Sequence, residues 1–173
     1  MRAIGGERPP RGVLSAAAFP GRLVVLDYPG KQVTIARGAL ASADNRRIFE
    51  YGADEELPVV PVRVGGREYH IHLDSGSPAG VTLPTRYIEE VPLEAPPVTI
   101  GQARTVAGTF TMQSATVKGV IEIGEYTLPD KEVRFSDVRP GSKPPIGNLG
   151  GRVLHDFIVT FDAANRRLKL EKP

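Results

Sequence analysis

The sequence predicts an all-β protein, and three observations carry that prediction. Sixteen Pro and 19 Gly punctuate 173 residues, a density of chain breakers that suits short strands and few long helices. Val60, Val62 and Val64 alternate with other residues, as do Tyr69, Ile71 and Leu73, which is the period of a half-buried strand. Gly65-Gly66 stands between these two runs, and a Gly pair at that spacing is a tight-hairpin signal.

Composition bounds the function. Hydrophobic residues make up 40% of the chain, enough for a core, and the length suits one domain or one domain plus part of another. The net charge of +2 is small, and no Lys/Arg run exceeds two residues, so nothing points to nucleic acid or an anionic membrane. The absence of Cys removes disulfides, thiolate catalysis and Cys-zinc sites. No apolar run is long enough to span a membrane. The start, MRAIGGERPPRGVLSAAAFPG, is too polar and Pro-broken for a signal peptide, and the compartment stays unknown.

Taken in order, residues 1–11 read as a disordered tail. Residues 12–35 contain β-type runs at Leu23 to Leu26 and Val33 to Ile35, separated by Pro29-Gly30, and form a hairpin. Residues 36–56 are small, polar and charged, the composition of a linker, with room for a helical turn. A complete domain is expected over 57–173, opening with the Gly65-Gly66 hairpin. PTRYIEE, 84–90, suits a short helix with Pro84 in its first turn. Residues 98–116 are β-branched and Gly-containing. VIEI-GE-YTL echoes the first hairpin, KEVRF adds a strand, and SDVRPGSKPP is loop. Arg152 to Phe157 suits a second short helix, and the chain closes as a hairpin that turns at Asn165.

The chain also repeats itself. Residues 12–35 align without a gap on residues 147–170. Gly12 meets Gly147, Leu14 meets Leu149, Val24 meets Val159, and Asp27 meets Asp162, a constant offset of 135 positions from 12 to 147. A repeated unit of this kind is an architectural signal.

The candidate chemistry lies in HIHLDSGSPAGVTLP, residues 70–84. An apolar strand enters, Asp74-Ser75-Gly76 sits at its tip, and a Gly/Pro/Ser turn leaves. A lone Asp-Ser-Gly also occurs in ordinary turns. Here it stands in an ordered set: hairpin, Asp-Ser-Gly, β-branched hairpin, Ile146-Gly147, short helix, hairpin. That set resembles the retropepsin-like aspartyl peptidases, relatives of the pepsin lobes, over residues 57–173.

The resemblance implies a closed, hairpin-rich barrel lobe with one short helix. It implies that Asp74 is one member of a catalytic pair, and that Ser75 and Gly76 hold the loop. It further implies that residues 98–116 are a flap with its tip at Ala107-Gly108, and that Ile146 and Gly147 support the Asp loop. The activity implied is peptide-bond hydrolysis, with peptide or protein as substrate and with neither cofactor nor metal. Two carboxylates are needed, because a close pair shares one proton and so divides acid and base roles. Asp74 is the one Asp followed by Ser/Thr-Gly. The second is therefore expected from another copy or from an upstream lobe, of which residues 12–35 would be the C-terminal hairpin. The alternative is a peptide-binding or dimerisation module that keeps the fold without cleaving. His70, His72 and Asp74 also spell a metal-type H-x-H-x-D on one strand face. With Ser75 following and only His155 elsewhere, that reading is set aside, and both His are expected on a solvated strand face.

Overall fold

The computed structural model describes residues 14–53, 57–105, 108–137 and 146–173. Its strands are β1 (Leu23–Asp27), β2 (Gln32–Ala36), β3 (Ile48–Glu50), β4 (Val59–Val64), β5 (Arg67–Asp74), β6 (Val81–Leu83) and β7 (Val98–Thr105). There follow β8 (Gly108–Thr116), β9 (Ile121–Ile123), β10 (Tyr126–Leu128), β11 (Glu132–Phe135), β12 (Asn148–Gly150), β13 (Ile158–Asp162) and β14 (Arg167–Glu171). The only α-helix among the described residues is α1 (Gly151–Leu154), and 3₁₀ turns cover Ala16–Ala18 and Thr85–Tyr87. The protein is all-β, as its punctuation predicts.

The strands form two sheets. The larger runs β10-β9-β4-β5-β12-β6-β11-β8-β7 and curls into a half-barrel; the smaller runs β2-β1-β13-β14-β3. The predicted hairpin β4–β5 pairs Val64 with Arg67 around Gly65-Gly66, and both glycines have positive φ, 59° and 91°, which only Gly adopts cheaply. Val60, Val62, Val64, Ile71 and Leu73 of that hairpin share one core with Phe49, Phe135, Leu149, Phe157 and Leu168. Both sheets therefore rest on the same apolar interior.

The repeat is realised element by element. β1 and β13, then β2 and β14, begin and end at the same 135-residue offset, as from Leu23 to Ile158. The 3₁₀ turn at Ala16 is the twin of α1, which begins at Gly151. Asp27 accepts the Gly30 N–H, and Asp162 accepts the Asn165 N–H. Lys31 and Arg166 both take positive φ in the turn, 53° and 50°.

Three elements depart from the sequence expectation. The linker 36–56 contains strand β3, whose Ile48 and Phe49 are buried. Its short apolar pair becomes a strand only by pairing with β14, a tertiary effect that local polarity conceals. The helix expected over Arg152 to Phe157 is a single turn that starts at Gly151. The helix expected in 84–90 is one 3₁₀ turn, with Pro84 before it and the Thr85 N–H held by Asp137 at 3.0 Å.

Carboxylates fasten the linker. Asp44 accepts the N–H groups of Arg46, Arg47 and Ile48, each at 2.8 Å, and those bonds hold its pKa down from 3.8 to about 2. Asp162, buried, accepts the Leu40 N–H at 2.9 Å and both amide groups of Asn165. Burial alone would raise its pKa; the Asn165 and Leu40 hydrogen bonds and Arg167 outweigh it, and the net shift is downward. Arg167 Nη1 closes the clamp on the Leu40 carbonyl at 3.0 Å.

Asp162→Ala should therefore cost about 2–3 kcal/mol in urea unfolding, because it orphans buried donors. Its twin Asp27→Ala, losing one exposed turn bond, should cost under about 1 kcal/mol. The depressed carboxylates of Asp44 and Asp162 contribute stability above the unfolded pKa that is lost as pH falls through the folded one. The urea midpoint should thus hold from neutrality to about pH 4 and decline below it.

Candidate active site

Asp74 is the last residue of β5 and is half-buried. The chain turns immediately after it: the Ser77 N–H reaches the Asp74 carbonyl at 3.1 Å, and the Gly76 N–H reaches Asp74 Oδ1 at 3.0 Å. The other carboxylate oxygen, Oδ2, faces Asn148 Nδ2 at 3.3 Å. Both oxygens are thus positioned by neutral donors. Ser75 and Gly76 are exposed at the mouth of the turn. Gly76 has no positive φ, but a Cβ there would stand 3.3 Å from Asp74 Oδ1, crowding the carboxylate.

The loop is stitched from below. β12 runs parallel to β5, with Asn148 opposite His72 and Gly150 opposite Asp74, and antiparallel to β6 on its other side. The Gly150, Gly151 and Arg152 N–H groups donate to the carbonyls of Gly80, Ser77 and Ala79 at 2.9, 2.7 and 3.1 Å. The turn that carries Asp74 and the start of α1 are one hydrogen-bonded unit. Two glycines make room for it. A Cβ on Gly147 would lie 2.1 Å from the Thr82 carbonyl, and one on Gly150 would lie 2.4 Å from the Ala79 carbonyl.

Each residue that the sequence singled out has a definite place. Gly147 is buried and its carbonyl accepts the His72 N–H at 2.8 Å; Ile146 is half-buried beside it. Residues 98–116 form the β7–β8 hairpin, in which Gly108 pairs with Thr105 as the first residue of β8. Ala107 lies outside the described residues. His70 is exposed, 3.6 Å from Glu68. His72 is 8% exposed, which corrects the expectation of a solvated His pair: β5 is a central strand, flanked by β4 and β12. Among the described residues no group of three or more His, Cys, Asp or Glu is arranged to hold a metal.

Sequence reasoning missed two contributors. Asn148 carried no motif of its own, and its role follows from the parallel register with β5. Tyr28, in the β1–β2 turn, hydrogen-bonds the Ser75 side chain; burial, the larger effect, pushes its pKa up. Its ring packs on His155 with centroids 5.5 Å apart. No local signal announces a contact between positions so distant in sequence. Asp74, Ser75 and Gly76 also line a hollow of about 840 Å³, walled opposite by Leu26, Val33 and Ile35 of the β1–β2 hairpin. A carboxylate held at the edge of an open, largely apolar hollow is suited to polarise a water against an extended ligand.

No protein-family model and no curated protein matches the chain. Among solved structures, it is similar to a retropepsin-like aspartic protease from Rickettsia conorii, with 14% identity, a TM-score of 0.52, and 70% of this chain and 94% of that chain covered. It is also similar to EIAV protease complexed with the inhibitor HBY-793, with 18% identity, a TM-score of 0.49, and 62% and 93% covered. The Rickettsia likeness establishes the fold of this chain as retropepsin-like.

Gly147→Val should destabilise the chain by about 3 kcal/mol or more in urea unfolding, since a branched side chain meets backbone rather than a yielding side chain. Gly150→Ala should cost less and displace the 75–79 turn, which would be read as faster amide exchange at Gly76 and Ser77.

Proposed function

We propose that this chain, a retropepsin-like lobe in fold, is one half of an aspartic endopeptidase. Asp74 supplies one carboxylate, and a second Asp-bearing lobe, in another copy or another segment, supplies its partner. The paired carboxylates share one proton. The ionised one takes a proton from a water, the water oxygen attacks the peptide carbonyl, and the protonated one donates to that carbonyl oxygen. Collapse of the tetrahedral intermediate returns a proton to the leaving amine, so no cofactor is consumed. Ser75 and Gly76 shape the loop, Ile146 and Gly147 back it, and the β7–β8 hairpin, in which Gly108 pairs with Thr105, covers the bound peptide.

The observation that supports this most is the mounting of Asp74. Its carboxylate sits at a strand tip, oriented by Gly76 N–H and Asn148, over a glycine-bearing strand threaded between β5 and β6. One observation favours a second reading. The 173 residues carry a single Asp-Ser-Gly, so the lobe by itself suits a peptide-binding or dimerisation module that does not cleave.

In an assembly that cleaves an unfolded protein at mildly acidic pH, Asp74→Asn should lower kcat/KM by at least about a hundredfold with an unchanged circular dichroism spectrum. Chelator should leave the rate unaltered. Wild-type turnover in the variant, or loss on chelation restored by zinc, would refute the mechanism.

A further inference from the structure

The repeat separates what builds a hairpin from what is added to one. At the 135-residue offset Asp27 has the twin Asp162 and Lys31 the twin Arg166, and each pair shapes its turn in the same way. Tyr28 and His155 are different. Their twins are Ala163 and Pro20, which have neither an aromatic ring nor a hydroxyl. A hairpin of this kind forms without a Tyr at that position, as the C-terminal one shows. The N-terminal turn carries Tyr28 for a contact outside itself.

The turn delivers Tyr28 to the Asp74 loop. Asp27 accepts the Gly30 N–H at 2.7 Å, and the Lys31 N–H donates to the Tyr28 carbonyl at 3.2 Å, so the backbone around Tyr28 is fixed. β1 pairs with β13 as far as Asp27 opposite Ile158, which brings Tyr28 alongside the residues that follow α1. There its half-buried ring packs on His155, with centroids 5.5 Å apart. The His155 N–H caps α1 on the Gly151 carbonyl at 2.9 Å, and the Gly151 N–H holds the Ser77 carbonyl at 2.7 Å. The Tyr28 hydroxyl is hydrogen-bonded to the Ser75 side chain. The loop is thus gripped twice. Backbone bonds from Gly150, Gly151 and Arg152 hold the Gly80, Ser77 and Ala79 carbonyls, and Tyr28 holds Ser75, the neighbour of Asp74. A hollow of about 420 Å³ lies between residues 75–78 and His155, so the loop has room to move once the hydroxyl bond is gone.

We propose that Tyr28, braced by His155, is a positioning residue for Asp74 and acts through Ser75. The proposal rests on the half-site reading for its bearing on catalysis. Asp74 Oδ1 takes its place from the Gly76 N–H at 3.0 Å, and Ser75 joins those two residues. Freeing Ser75 therefore lets Gly76 and the carboxylate drift together. The reaction needs the carboxylate, a water and a peptide carbonyl aligned, and a misplacement of about 1 Å can cost about a hundredfold in rate. Tyr28 does not line the hollow at Asp74, so the loss falls on kcat rather than on KM. Hairpin and loop belong to the same chain, and the brace needs no second lobe.

Tyr28→Phe keeps the ring on His155 and removes only the hydroxyl, so the fold should survive. In the 173-residue chain it should speed amide exchange at Gly76 and Ser77 about fivefold, the size expected for one lost hydrogen bond. Ser75→Ala should do the same, and the double variant should exceed neither, because both changes remove one bond. Tyr126→Phe removes a different hydroxyl bond, to the Leu170 carbonyl at 3.2 Å, and should leave exchange at Gly76 unchanged. Exchange unaltered by Tyr28→Phe, or single-variant effects that add, would overturn the brace. In an assembly that cleaves, Tyr28→Phe should lower kcat about fivefold or more with KM within about twofold. A raised KM with unchanged kcat would overturn the positioning role. Exchange is read on the chain without any cleavage, so a failure of the half-site reading shows separately, as undiminished cleavage by Asp74→Asn.

Discussion

The structure depends on one crossing, the passage of Gly147 to Gly150 between β5 and β6 with no room for side-chain carbon at either end. Strands β5 and β6 flank the Asp74 turn without pairing with each other, and the local bonds from the Ser77 and Gly76 N–H groups to Asp74 close the turn but not the gap between the strands. β12 fills the gap, pairing parallel with one strand and antiparallel with the other. Its glycines bring backbone against backbone, where a Cβ would meet carbonyl oxygens at 2.1 and 2.4 Å. The same strand delivers Asn148 to the Asp74 carboxylate and opens directly into α1. Sheet closure, loop shape and carboxylate orientation are therefore one packing problem with one solution.

Much of this was legible in the sequence, and the reasons are physical. Gly65-Gly66 is readable because a two-residue turn demands positive φ, and both residues show it. The tip position of Asp74 is readable because strand alternation stops there and turn residues begin. The repeat is readable because hairpins at both ends use the same Asp turn and the same left-handed residue, Lys31 or Arg166. What stayed hidden was set by distant partners. β3 is three residues in a polar stretch, and it is a strand only against β14. The burial of His72 depends on neighbours far along the chain. Tyr28 and Asn148 touch the Asp loop through tertiary register alone.

The repeat also carries an asymmetry that composition could not reveal. Leu149, Leu168 and Leu170 are buried in the C-terminal copy, while their apolar twins Leu14, Val33 and Ile35 are exposed in the N-terminal one. Local pattern records what a strand is built to bury; whether it does so depends on what lies opposite. Leu14, Val33 and Ile35 therefore read as interior residues in sequence and as surface in the structure.

The carboxylates of this protein divide into two kinds, and the division bears on function. Asp44 and Asp162 carry backbone: each is held by several donors and shifted toward the ionised form. Glu132 does similar work. Burial alone would raise its pKa, but Arg134, Ser114 and Arg152 outweigh that and hold it down, tying β8 and β11 to α1. Asp74 carries little of the fold. Its turn is closed mainly by main-chain bonds, through the Asp74, Ser77, Ala79 and Gly80 carbonyls, and its side chain meets one N–H and one amide. Under the proposed function that separation is what Asp74 needs: the loop that presents it is fixed by glycine packing and backbone bonds rather than by its own carboxylate.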